Sequence, residues 1–232
     1  MDAPTSVLVS ESLLEIDHFF VCLSASLQPK TLADLGLVCA PQPVHHPRQG
    51  TTSNLIFFEN IYLELIWIED ESAAEIYAMQ SGIDFLARSH WQQTKASPFG
   101  IALRQKNEVH QQHQLPDQSE TFINFAAENL SAQAEPLCFV ISDAISLTRL
   151  LDRTSSFHQQ LLRHPIGIQQ LTEAKIAIDS LKSLSEPVSL LQRENIASID
   201  RGTPLLELTF DRRIQGRTLD LRWLKIPLVL HY

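Results

Sequence analysis

The run from Leu14 to Leu23, LEIDHFFVCL, constrains the fold more than any other stretch of the chain. It is rich in β-branched and aromatic residues, which suit a pleated, packed surface, so it reads as a strand. Two polar residues, Asp17 and His18, sit in its middle. A strand with that cargo must give those side chains partners or a task.

Other short apolar runs organise the rest of the chain. Pro29 opens a short helix that Gly36 stops. The stretch 41–53, rich in Pro, His, Gly and Thr, reads as a polar loop able to face a ligand. The runs 54–58 and 62–68 form a hairpin with its turn near Asn60, which makes the first unit β-α-β-β-β. A helix over 71–86, with a break at Gly82, leads to a strand over 99–104. The His- and Gln-rich stretch 105–118 is a loop, the TFINFAAENL run from Thr121 an amphipathic helix, and 137–141 a buried strand. A helix over 147–162 stops before Pro165 and Gly167. The last unit has strands at 171–178, 205–210, 218–223 and 228–231, with a helix at 188–195.

Two internal echoes link the ends of the chain. LEIDHFFV at Leu14 resembles LTEAKIAI at Leu171, and YLELIW at Tyr62 resembles LLELTF at Leu205. Such recurrence points to paired βαβββ modules.

Composition narrows the functional classes. With 232 residues, 44% hydrophobic and 19% charged, the chain has material for one large or two intimately packed folded domains. Its net charge of −9 gives no general attraction to nucleic acid or to an anionic membrane. The cluster Arg212, Arg213, Arg217 and Arg222 is interrupted by Leu219 and Leu221 in a way that suits the polar face of a strand. Cys22, Cys39 and Cys138 read as buried thiols in a reducing, cytoplasmic setting. The first 11 residues read as a loose leader without signal-peptide character, and no apolar run approaches a membrane span.

Two polar residues on strands carry the candidate chemistry. His18 and Glu64 are each flanked by apolar neighbours, and a buried carboxylate costs several kcal/mol unless partnered. A shared divalent metal (Zn, Mn, Ni or Fe) or a hydrogen-bonded His–Glu pair would satisfy both. In the loop, His46, Arg48, Ser53 and Asn54 offer donors suited to a carboxylate or other oxyanion. The alternative is a turn built by Pro47 and Gly50 and capped by Asn54. His164, before Pro165, fixes another loop, and Tyr62, Trp67 and Trp223 are core or cleft wall.

The strings IDHFFVCLS, HHPRQGTTSNLIFFENIYLELIWIED, FGIALR and HPIGIQQLTEAKIAI resemble, in this order, the glyoxalase-like branch of the vicinal oxygen chelate superfamily. The resemblance implies an α+β fold of paired βαβββ modules forming curved mixed sheets around a cleft, with an additional C-terminal β-rich half-module. On that reading the modules occupy 12–145, a helical connector 146–170, and the half-module 171–232. It also implies that His18 matches a first-strand ligand and Glu64 a fourth-strand ligand, both catalytic and metal-binding. His46, Arg48, Ser53, Asn54 and Arg104 would bind substrate. The partner positions depart from the pattern: Ala102, Arg104 and Cys138 stand in one candidate module, and Lys175 with Glu207 in the other.

Two functions follow. One is a metal-dependent lyase, isomerase or dioxygenase acting on a small oxygen-bearing molecule; the other is a metal-free protein that binds or sequesters such a molecule. No organic cofactor is indicated and a homodimer is allowed. A third reading gives the helix from Thr121 and the C-terminal strand to protein association.

Overall fold

A computed structural model describes residues 12–106 and 123–232; the leader, the His- and Gln-rich loop and the start of the TFINFAAENL run lie outside them. The described chain builds two curved mixed sheets, of seven and five strands, with helices between them and across their faces. No helix among the described residues is long and apolar enough to cross a membrane.

The seven-stranded sheet begins with β1 (Leu14–Leu23), α1 (Pro29–Asp34), β2 (Val44–His46), β3 (Thr51–Phe57) and β4 (Tyr62–Ile68). β1 pairs parallel with β4, and β4, β3 and β2 follow antiparallel, so this unit is the expected βαβββ module. Three residues of the Pro- and His-rich stretch pair as β2, a strand its composition does not announce. A connector of α2 (Glu71–Ser81), α3 (Phe85–Ser89) and α4 (Trp91–Thr94) leads to β5 (Phe99–Gln105). Asp70 caps α2 by accepting from the Ala73 N–H, and Gly82, at φ 76°, takes the left-handed conformation that ends it.

β5 pairs antiparallel with β1 and parallel with β7 (Leu137–Ile141), and β6 (Ile123–Phe125) closes the edge. The expected helix at TFINFAAENL is thus replaced: Ile123, Asn124 and Phe125 form β6, and only Ala127–Ser131 is helical, as α5. Phe125 packs on Phe139 across β6 and β7, a tertiary contact that outweighs helical propensity here. The helix expected over 147–162 is also split, into α6 (Leu147–Leu150) and α7 (Ser156–Leu161), because Asp152 bonds the Thr154 N–H in a tight turn.

The five-stranded sheet holds β8 (Leu171–Ile178), α8 (Glu186–Arg193), β9 (Ser198–Arg201), β10 (Leu205–Phe210), β11 (Thr218–Asp220) and β12 (Leu228–His231), in the order β11-β12-β10-β8-β9. Its pairing repeats that of the larger sheet. β8 is parallel to β9 as β1 is to β4; β8 is antiparallel to β10 as β1 is to β5; β10 is parallel to β12 as β5 is to β7. The echo of β1 in β8 therefore reflects equivalent positions. The echo of Tyr62 in Leu205 does not, since β10 stands in the place of β5 and the short β9, not anticipated, in that of β4.

One apolar core joins the sheets. Phe19, Val21 and Leu23 of β1, with Leu63, Leu65, Ile101 and Leu103, meet Ile176, Ile178, Leu206, Leu208, Leu228 and Leu230. The other face of the larger sheet carries the polar residues of interest. There Gly100 lies against the Phe20 ring, where an added Cβ would come within 1.9 Å of a ring carbon. Arg212 and Arg213 lie outside any strand, at φ 53° and 59° in an exposed left-handed turn, so they are not the polar face of a strand. Trp223, 67% exposed, is neither core nor cleft wall.

Candidate functional site

The parallel register of β1 and β4 sets His18 beside Tyr62 and Phe20 beside Glu64, so His18 and Glu64 share the face of the sheet that looks away from the five-stranded sheet. A shift in the β1–β5 pairing between Ile16 and His18 leaves Asp17 as an extra residue. That bulge matters, because in a regular strand Asp17 would point to the opposite face from His18.

Asp17, fully buried, is instead the hub of a polar network. Its Oδ1 accepts from His18 Nδ1 at 2.9 Å. Its Oδ2 accepts from Arg104 NH1 at 2.8 Å and from the Leu147 N–H at 2.8 Å. Burial alone would raise the Asp17 carboxyl, but its bond to His18, the charge of that ring, and the bonds from Arg104 and Leu147 hold it below the usual carboxylate value. An ionised Asp17 fixes the proton of a neutral His18 on Nδ1 and leaves the lone pair on Nε2. Among the described residues Nε2 makes no hydrogen bond. The ring itself is held by stacking on Tyr62, centroids 4.2 Å apart, and by the edge of Phe139.

Glu64 is held from the other side. Ser53 Oγ donates to its Oε1 at 2.6 Å and His46 Nε2 at 3.3 Å. Burial would raise its carboxyl; the His46 bond, the charge of His18 and the Ser53 bond bring it below the ordinary value instead. Two apolar clusters flank this polar strip. Phe20, Ile66 and Phe139 pack with Ile83 and Phe85, while Phe57 and Tyr62 pack with Leu147, Leu151 and Leu161. Side-chain exposure rises along the strip from 8% at His18 to 12% at Glu64 and 32% at His46, so its mouth lies at the β2–β3 hairpin.

The remaining sequence candidates separate. Arg48 is exposed in the turn after His46, at the mouth. Asn54 faces the other side of the sheet, where it donates to the Leu27 carbonyl at 2.7 Å; its neighbour Ser53 takes the site face, as strand alternation requires. Asn54 therefore does not line the cleft with Arg48. Arg104 is consumed by the protein itself: Nε donates to Glu15 at 2.8 Å, NH1 to Asp17 and NH2 to the Asn60 carbonyl at 3.1 Å. It acts on His18 only through Asp17. His164 fixes a loop, its Nδ1 accepting the Val38 N–H at 3.0 Å and its Nε2 donating to the Phe57 carbonyl at 2.9 Å. Asp17 was the hub that sequence reasoning missed, since nothing in LEIDHFFV announces a bulge.

The donor set bears on a metal. Among the described residues no three His, Cys, Asp or Glu side chains converge where an ion would be held. Glu64 and His46 already satisfy one another, so the described donors do not fit a resident ion held by three protein groups.

In the five-stranded sheet, Lys175 and Asp200 stand at the registers of His18 and Glu64 and form a 2.7 Å ion pair whose members are 49% and 53% exposed. Among the described residues no buried proton acceptor remains there.

No family model matches the chain, and no curated protein matches it. Among solved structures, it is similar to the crystal structure of a hypothetical protein from Staphylococcus aureus. That likeness has a TM-score of 0.51 at 11% identity and covers 94% of this chain and 98% of the other. At that identity the likeness concerns the fold alone.

Proposed function

We propose that this chain is a glyoxalase-like protein of the vicinal oxygen chelate type that binds a small, oxygen-bearing organic molecule at the His46 mouth and moves a proton on it through His18. One observation carries the reading: among the described residues His18 Nε2 makes no hydrogen bond, while Asp17 holds the other ring nitrogen. An imidazole oriented by a carboxylate, with its lone pair free, is built to accept a proton and to be stabilised once it has done so. Asp17 would stabilise the imidazolium, and Arg104 and the Leu147 N–H would keep Asp17 ionised while it does. The module pairing, β4-β1-β5-β7 around a central antiparallel β1–β5 pair, supports the superfamily. The reaction class is proton abstraction next to a carbonyl, as isomerases and lyases use. Arg48 at the mouth would orient an anionic substituent.

Deuterium uptake from D₂O at the carbon next to a carbonyl, followed by NMR over a panel of small 2-oxo and 2-hydroxy acids, tests this. Wild type should catalyse exchange on at least one member, and His18→Asn should lose it while remaining folded. Saturable binding without exchange would replace the enzyme by a sequestration protein. Exchange that appears only on adding Zn, Mn, Ni or Fe(II) would return the reading to a metalloenzyme, since a carboxylate-supported imidazole is also what a metal-bound histidine shows.

A further inference from the structure

Glu15, the outer partner of Arg104, lines a groove of about 590 Å³ at the seam between β1 and β8. This lies within the size range of small-molecule sites. Leu14, Ile16 and Ile196, which pack against the core, give it apolar surface within a largely polar lining. Lys106 and Glu173 also line it. Neither makes an ion pair or a side-chain hydrogen bond among the described residues, although they carry opposite charge. Nearby charged pairs behave otherwise: Lys175 closes on Asp200, and Arg193, also in the groove, closes on Glu186. The groove thus offers a cation and an anion not paired with each other, beside apolar surface, together with the carboxylates of Glu194 and of Glu15, whose Oε1 is held by Arg104.

We infer that this groove is a second binding site, for a small zwitterion with a short methylene chain, and that its occupancy is transmitted to His18. The ligand's carboxylate pairs with Lys106, its ammonium with Glu173 and Glu15, and its methylenes lie against Leu14, Ile16 and Ile196. Transmission follows a continuous chain of bonds. Glu15 Oε1 accepts from Arg104 Nε at 2.8 Å, Arg104 NH1 donates to Asp17 Oδ2 at 2.8 Å, and Asp17 Oδ1 accepts from His18 Nδ1 at 2.9 Å. An ammonium drawing Glu15 away from Arg104 leaves Asp17 as the guanidinium's one counter-ion among the described residues, which tightens that pair and weakens the pull of Asp17 on the His18 ring. The site itself stands independently of the proposed reaction; only the consequence for His18 as a proton acceptor rests on that reading.

The probe is 4-aminobutyrate, with butyrate and butylamine as single-charge controls, titrated into the full chain by calorimetry and by ¹⁵N NMR of the His18 ring. Saturable binding of 4-aminobutyrate is expected, at least tenfold tighter than either control, and at least tenfold weakened in Lys106→Ala and in Glu173→Gln. Saturation should also move the His18 nitrogen resonances in wild type, and Glu15→Gln, which weakens the bond to Arg104, should reduce that movement at least threefold. Absence of saturable binding, or equal affinity in Lys106→Ala, overturns the site. Binding with unmoved His18 resonances overturns the transmission. Failure of the proposed reaction appears separately, as no deuterium exchange in a protein that still binds the probe.

Discussion

Replacing Asp17 by Asn tests the hub at constant shape. The amide oxygen can still accept from Arg104 and from the Leu147 N–H, which now share one neutral acceptor, while the amide nitrogen, a donor, must face His18 Nδ1. The ring then has to place its proton on Nε2 and accept at Nδ1. The number of hydrogen bonds is kept and a charge is lost. Bonds to charged groups contribute about 1.5–3 kcal/mol against about 0.5–1.5 for neutral ones, so two charge-assisted bonds made neutral lose roughly 1 kcal/mol each. Arg104, nearly buried, keeps only the half-exposed Glu15 as counter-ion. The expected loss is therefore about 2–3 kcal/mol in urea unfolding, below the roughly 3–5 kcal/mol of removing a buried ion-pair partner outright, as Asp17→Ala would.

The functional loss should exceed the structural one. With the proton moved to Nε2, the only free nitrogen of His18 becomes a donor, and deuterium exchange should fall to background at pH 7 even where the variant is fully folded. Long-range ¹H–¹⁵N spectra read the tautomer directly. A variant within about 0.5 kcal/mol of wild type, or one whose His18 still carries its proton on Nδ1, would refute the role assigned to Asp17.

Three further outcomes are expected. Burial lowers the pKa of His164 below its ordinary 6.5, despite the opposing bond to Phe57, so the unfolded chain takes up that proton first. Stability should be full above 6.5 and decline as pH falls toward the folded value, and His164→Gln should flatten that part of a urea-midpoint profile. Asp17 and Glu64, both lowered, add a second decline at more acid pH, below the ordinary carboxylate range. Gly100→Ala should destabilise by about 1–3 kcal/mol or more, because its Cβ would meet the Phe20 ring, and Phe20→Leu should recover part of that loss on thermal unfolding. The Cys22 and Cys138 thiols, pushed up to about 12 by burial, should be silent to a thiol reagent at pH 8 until denaturant is added, leaving Cys39 alone to react.

Most strands were legible in the chain because their apolar runs are long and bounded by turn residues. Leu14–Leu23, Leu137–Ile141 and Leu171–Ile178 lie where the pattern puts them. What escaped was structure made by pairing alone. β2 and β9, of three and four residues, exist only because a neighbouring strand offers a ladder. The placement of His18 and Glu64 on one face followed from their strands, whereas the exclusion of Asn54 follows from alternation relative to Ser53, which a loop reading of 41–53 hid. The bulge at Asp17 is of the same kind: an extra residue in one strand is defined by its partner, not by its own sequence.

Why the buried polar groups concentrate in one sheet, although both share a pairing scheme, is a matter of what the connections cover. β1 is buried over seven successive residues, Asp17–Leu23, whereas β8 alternates between buried and exposed positions. The difference lies outside the strands. The segments joining β4 to β5 and β7 to β8 are long enough to carry α2, α3, α6 and α7 across the outer face of the larger sheet, while the short links of the smaller sheet send only α8 to the shared core. Under that cover, Asp17, Glu64 and Arg104 are removed from water and their interactions strengthen. Without it, Lys175 and Asp200 form a solvated pair whose attraction water screens.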